Sequence, residues 1–188
     1  TPDGTMEVGR NFDYWGLEAT QECVVVLAVR PRQEDGHAFV SVGWAGILGG
    51  WTFINDAGLF VANNLGGGQA TNPVGVPTLI LERIIAQKAG TVDEALTILR
   101  NTPRMRGQTM VIGHTRTNTR PADAVLASYD AETVTVTRQT DGFVLHSSVG
   151  TDPDDIRTVL RRRLRTATTA IASAANSITL HSVAIRPQ

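Results

Sequence analysis

The sequence predicts an α+β fold, in which strand-rich segments on both sides enclose two consecutive amphipathic helices. Three observations carry this. Short β-branched runs separated by Gly, Pro, Asn and Asp fill the first third of the chain. Helical spacing and an N-terminal capping signature then appear in succession after Pro77. Alternating strands resume after Thr109, with Thr133 to Arg138 placing Val134 and Val136 inward and threonines outward.

In order, Thr5 to Phe12 is expected as a first strand and Cys23 to Arg30 as a second, nearly continuous in apolar character. Pro31 to Gly36 turns the second back into Ala38 to Gly43. A strand at Gly46 to Leu48 is expected to merge with Trp51 to Ile54 through a bulge at Gly49-Gly50. Asn55-Asp56-Ala57-Gly58 is a tight-turn composition leading into Leu59 to Asn63, with a glycine free to take positive φ. Pro77 suits a first helical turn, with Leu81, Ile84, Ile85 and Lys88 on helical spacing and Gly90 as the stop. Thr91-Val92-Asp93-Glu94 is a capping box for a helix burying Val92, Leu96 and Leu99, closed by Asn101-Thr102-Pro103. Strands follow at Thr109 to His114, Ala124 to Tyr129, Thr133 to Arg138 and Phe143 to Ser147. Asp152-Pro153-Asp154-Asp155 caps a long helix reaching about Ala172, and Ile178 to Ile185 is a last strand. No repeat or linker interrupts this order, so residues 1–188 are read as one domain.

With 188 residues, 41% hydrophobic and 19% charged, the chain has enough apolar material for one real core. A net charge of −1 gives no global case for nucleic acid. Arg161-Arg162-Arg163-Leu164-Arg165 reads as the wet face of a helix. The single cysteine, Cys23, excludes an internal disulfide and leaves the compartment open. Its apolar strand setting marks it as a core residue rather than a nucleophile. The longest apolar run, Cys23 to Val29, is too short to cross a bilayer. His37, His114, His146 and His181 lack ligand spacing, so no metal is expected. Gly66-Gly67-Gly68 lacks the lysine and threonine of a phosphate loop and reads as a rim, so no cofactor is expected.

The chemistry-bearing stretch is Gly9-Arg10-Asn11-Phe12-Asp13-Tyr14. Arg10 and Asp13 lie three apart on a strand, hence on opposite faces unless the strand ends or bulges between them. Such a pair can steer an amine or a thiolate, or be a solvated ion pair. Further on come Val42-Gly43-Trp44-Ala45-Gly46-Ile47-Leu48-Gly49-Gly50, Ile54-Asn55-Asp56-Ala57-Gly58-Leu59 and Val61-Ala62-Asn63-Asn64. In that order these motifs resemble the N-terminal-nucleophile (Ntn) hydrolases of the penicillin acyltransferase group, or peptidase C45. The choloylglycine hydrolases are more distant relatives.

The resemblance covers roughly residues 3 to 150. It implies a four-layer αββα sandwich, incomplete at its N-terminus, and leaves open a further strand beyond Gln188. It assigns catalytic places to Arg10, beside the nucleophile, Asp13, on the terminal amine, and Asn64, at the oxyanion. Asn63 would exchange with Asn64 on a one-residue slip, and Ser147 falls where the family has a substrate-contacting asparagine. Asn55 and Asp56 match a structural turn. The family's nucleophilic cysteine would precede the hairpin at Asp3-Gly4, so it is expected upstream of Thr1. Thr1 itself is a distant second choice, because Pro2 weakens ladder pairing there.

The implied function is an amidohydrolase or acyltransferase acting on the C–N bond of a linear N-acyl amide. The alternative is a non-catalytic Ntn-like scaffold that binds a small ligand, suggested by the missing nucleophile and by Ser147. The expected partner is a small amide, not nucleic acid or membrane. A missing edge strand would leave backbone that a second copy or another chain could cover.

Overall fold

A computed structural model describes residues 8–14, 22–117, 119, 121–138, 144, 146 and 178–185. Seven consecutive strands form one antiparallel sheet in sequence order. They are β2 (Val24–Val29), β3 (Phe39–Trp44), β4 (Thr52–Asn55), β5 (Leu59–Asn64), β6 (Gln108–His114), β7 (Asp123–Tyr129) and β8 (Val134–Arg138). Two helices, α1 (Thr78–Lys88) and α2 (Val92–Asn101), interrupt the meander between β5 and β6. A separate two-stranded ribbon pairs β1 (Val8–Tyr14) with β9 (Ile178–Ile185), antiparallel.

Both helices cover one face of the sheet, α1 over β4 and β5 and α2 over β6 and β7. The core is the layer between them. Leu81, Ile85, Leu96 and Leu99 from the helices meet Leu59, Val61, Met110, Ile112, Val125 and Ala127 from the strands. All are nearly or wholly removed from water, and each large side chain is worth about 1.5–3 kcal/mol relative to exposure. The opposite face of β5 is covered too, since Phe60 and Ala62 are as buried as Leu59 and Val61.

Local chemistry explains the element ends. Thr91 accepts a hydrogen bond from the Glu94 N–H at 3.2 Å, as the capping box requires. The reciprocal arm lands one residue early, where Glu94 accepts from the Gly90 N–H at 2.7 Å. The Asn55 turn is built as expected. Gly58 sits at φ 84°, and the Asn55 carboxamide donates to the carbonyls of Ala86 and Ala89 at 2.9 and 2.7 Å. Its oxygen accepts from the Leu59 N–H at 2.9 Å, so one side chain ties the β4–β5 turn to the end of α1.

Two expectations are corrected. Gly46–Leu48 is a turn rather than a strand. Gly46 takes φ 87°, which no ladder residue adopts, and the Ile47 N–H closes the turn onto the Trp44 carbonyl. Cys23 is exposed, not a core residue. It precedes the first β2 pair, Val24 with Trp44. β2 is moreover the sheet's edge, exposing Val26 at 70%, so its apolar run is not a buried interior strand. The expected Phe143–Ser147 strand and the helix from Asp152 lie outside the described elements. No helix among the described residues is long and apolar enough to cross a membrane.

Candidate functional site

The site is organised by cross-strand register. Phe53 packs with Phe39 and Ala86 on the helix side of the sheet. Its neighbour Thr52 therefore faces the other way, as does Ala62, directly opposite it on β5. Asn64, two residues on, shares that face with its cross-strand partner Thr109. Asn63 shares the helix-side face with Met110.

Arg10 reaches this far face from the ribbon. Its guanidinium donates to Oγ1 of Thr52 at 2.6 Å and to the main-chain carbonyl of Asn63. The residue is only 7% exposed. A guanidinium so removed from water, fixed by two oxygens, keeps its charge and is held in orientation. It lies in the interior rather than at the surface. The adjacent asparagines are divided by the pleat. Asn64, half-buried, lies on the Arg10 side, whereas Asn63 offers that side only its carbonyl and keeps its carboxamide under the helices.

In the ribbon the register with β9 shifts between Phe12 and Asp13, at the step separating Arg10 from Asp13. The extra residue, Leu180, belongs to β9. The side chain of Asp13 lies outside the described residues, as does Ser147 in full. His146, next to Ser147, is placed. Its Nε2 lies 3.1 Å from the carbonyl of Leu65, just past Asn64.

Beyond Asn64 the chain enters Gly66-Gly67-Gly68, which lines a depression of about 500 Å³ together with Thr71, Met105 and Arg106. The triple glycine is thus a rim, and the depression opens beside the end of β5. Among the described residues no three metal-ligating side chains gather.

Two members of this region do not follow from motif reading. Thr52 is one, and no pattern in a four-residue strand marks it. Glu82 is the other. Its carboxyl, on α1, is fully buried on the helix side of β5. Burial pushes it well above the ordinary carboxylate range, against the pull of the Arg10 charge and the Asn63 carboxamide. A signal for it exists. Thr78, Leu81, Glu82 and Ile85 repeat at helical spacing, so an acid stands in the apolar stripe.

A family model described as "Acyl-coenzyme A:6-aminopenicillanic acid acyl-transferase" matches residues 1–146. No curated protein matches the chain in sequence. Among solved structures, penicillin V acylase from Agrobacterium tumefaciens superposes with TM-score 0.56 at 13% identity, over 93% of this chain and 59% of that one. A Caenorhabditis elegans N-acylethanolamine-hydrolyzing acid amidase ortholog gives 0.54 at 15% identity, over 72% and 60%. A mutant of conjugated bile acid hydrolase from Clostridium perfringens gives 0.51 at 14%, over 95% and 61%. The chain thus spans about 60% of the length of these structures. At such identities the likeness is one of fold, and the fold is Ntn-hydrolase-like.

Proposed function

Because the chain belongs to the acyl-coenzyme A:6-aminopenicillanic acid acyl-transferase family, we propose that the intact protein is an Ntn amidohydrolase or acyltransferase. Its substrate is a linear N-acyl amide, cleaved at the C–N bond. The observation that carries the reading is the buried Arg10 guanidinium, fixed on Thr52 and Asn63 on the sheet face that also bears Asn64. The complete domain is proposed as a four-layer αββα sandwich, of which helices, sheet and ribbon are three layers.

In this proposal the nucleophile is the thiol of a terminal cysteine on a strand preceding Thr1. The Arg10 charge favours its thiolate, and Asp13 orients the α-amine that takes the proton. Attack on the amide carbon forms a carbon–sulfur bond and puts negative charge on the carbonyl oxygen. The carboxamide of Asn64 donates to that oxyanion. Collapse breaks the C–N bond, the protonated amine returns its proton to the departing nitrogen, and a thioester remains. Water or an amine then releases the acyl group. The depression beside Gly66–Gly68 takes one substituent of the amide, and Ser147 contacts substrate from the segment that brings His146 to Leu65. A second copy or a partner chain covers the β2 edge in this reading, and native mass measurement tests it.

The test of the reaction is intact-mass analysis of the full-length protein after exposure to an electrophilic N-acyl amide analogue. One adduct is expected, with its rate reduced about a hundredfold or more in Asn64→Ala. No adduct, alongside reversible amide binding, would support a ligand-binding scaffold instead.

A further inference from the structure

Beneath β5, on the side of the sheet away from Arg10, four polar groups are gathered in a place that should be apolar. The carboxyl of Glu82 is fully buried, and neither of its oxygens has a completed hydrogen bond. The same holds for the carboxamide nitrogen of Asn63, the hydroxyl of Tyr129 and the hydroxyl of Thr78. Glu82 and Thr78 are one turn apart on α1. Asn63 faces them from β5, and Tyr129 from two strands further along the sheet. The groups face one another in two loose pairs, Glu82 with Asn63 and Tyr129 with Thr78. Polar groups buried on incomplete hydrogen bonds cost about 1–3 kcal/mol each if they serve nothing. Leucine at position 82 would complete the stripe of Leu81 and Ile85 at no such cost.

What distinguishes the place is its link to the site. Asn63 is a two-sided residue: its carbonyl accepts from the Arg10 guanidinium on one side, and its carboxamide adjoins Glu82 on the other. We propose that Glu82 is a positioning residue for the reaction, holding Asn63 from beneath so that its carbonyl fixes the guanidinium of Arg10. The inference rests on the amide-cleavage reading. The connection is physical as well as geometric, because the Arg10 charge is felt at Glu82 through the strand. Tyr129, from β7, also faces the carboxyl, and itself adjoins Thr78 and feels Arg104 and Arg106.

The experiment compares Glu82→Gln and Glu82→Leu in the full-length protein, with two readouts. The first is the Arg10 side-chain ¹⁵N resonance, which needs no turnover. It is expected to shift in Glu82→Leu and to lose its pH-dependent movement in Glu82→Gln. The second is hydrolysis of an N-acyl amide, where Glu82→Leu is expected to lower kcat by about a hundredfold with KM within about twofold. Glu82→Gln should recover most of kcat but with a flattened pH profile over the carboxyl titration. An Arg10 resonance unchanged in folded Glu82→Gln and Glu82→Leu overturns the proposal, as does an unaltered kcat and pH profile. A shifted resonance in a protein that never cleaves amides would leave the positioning intact and reject the amide-cleavage reading instead. If Glu82→Leu fails to fold, Glu82→Gln alone decides, by the same resonance and pH profile.

Discussion

Arg10 and Thr52, 42 positions apart in sequence, are joined by a 2.6 Å hydrogen bond from guanidinium to hydroxyl. Both residues are buried. Replacing Thr52 by valine keeps the shape and leaves one guanidinium N–H facing a methyl group. The expected loss of stability is about 1–3 kcal/mol. Urea unfolding of the two proteins checks it, with an unchanged m-value if only this bond is affected.

The asparagines should separate cleanly on substitution. Asn64→Ala is expected to lower acyl-transfer turnover by about 10²–10³-fold while changing stability little. Asn63→Ala retains the carbonyl that Arg10 uses but removes the carboxamide that adjoins Glu82, so it is expected to destabilise and, like Glu82→Leu, to lower kcat with KM little changed. Steady-state kinetics with parallel thermal melts distinguish the two. Equal activity losses with equal shifts in melting would refute the division by face.

Glu82 makes a signed prediction about pH. In the unfolded chain its carboxyl titrates near 4.5, and in the folded protein burial holds the proton to a higher pH. The native state therefore binds more protons in that window, and stability falls as pH rises from about 4.5 through the raised value, then levels. Glu82→Gln should remove this fall. Unfolding free energies measured across the window show whether it does.

Asn55 should be among the costliest polar positions. Its carboxamide satisfies the carbonyls of Ala86 and Ala89 and the Leu59 N–H, all in the interior. Asn55→Ala is expected to destabilise by about 3 kcal/mol or more, because buried groups are left without partners. Aspartate should not rescue it, since a carboxylate cannot donate to the two carbonyls. Thermal melts of the two variants check both statements.

Cys23 is exposed at the sheet's edge, so an aromatic disulfide reagent should label it in the folded protein, as peptide mass mapping of the modified thiol checks. Cys23→Ser is expected to alter stability by less than about 0.5 kcal/mol. Slow labelling that accelerates only on unfolding would contradict that placement.

Much of the fold is legible because its signals are local. The helix start at Thr91, the turn at Asn55–Gly58 and the alternation of β8 each follow from adjacent residues. What is not legible depends on neighbours remote in sequence. Cys23 reads as a core residue of an apolar strand until the strand order puts that strand at an edge. Gly46 to Leu48 reads as a strand until the positive φ of Gly46 makes it a turn. In the site, motif order singles out Arg10, but the choice between Asn63 and Asn64 turns on strand register, which alternation alone does not reveal. Thr52 gives no sign at all.

The strand that carries Arg10 is paired with the last described strand, Val8 opposite Ile185, whereas the seven-stranded sheet is made only of sequential neighbours. During synthesis the meander can therefore close hairpin by hairpin as it leaves the ribosome. The arginine's own strand must wait until residues 178–185 emerge before its partner arrives. The charged centre is consequently seated late, after the scaffold that receives it has already formed.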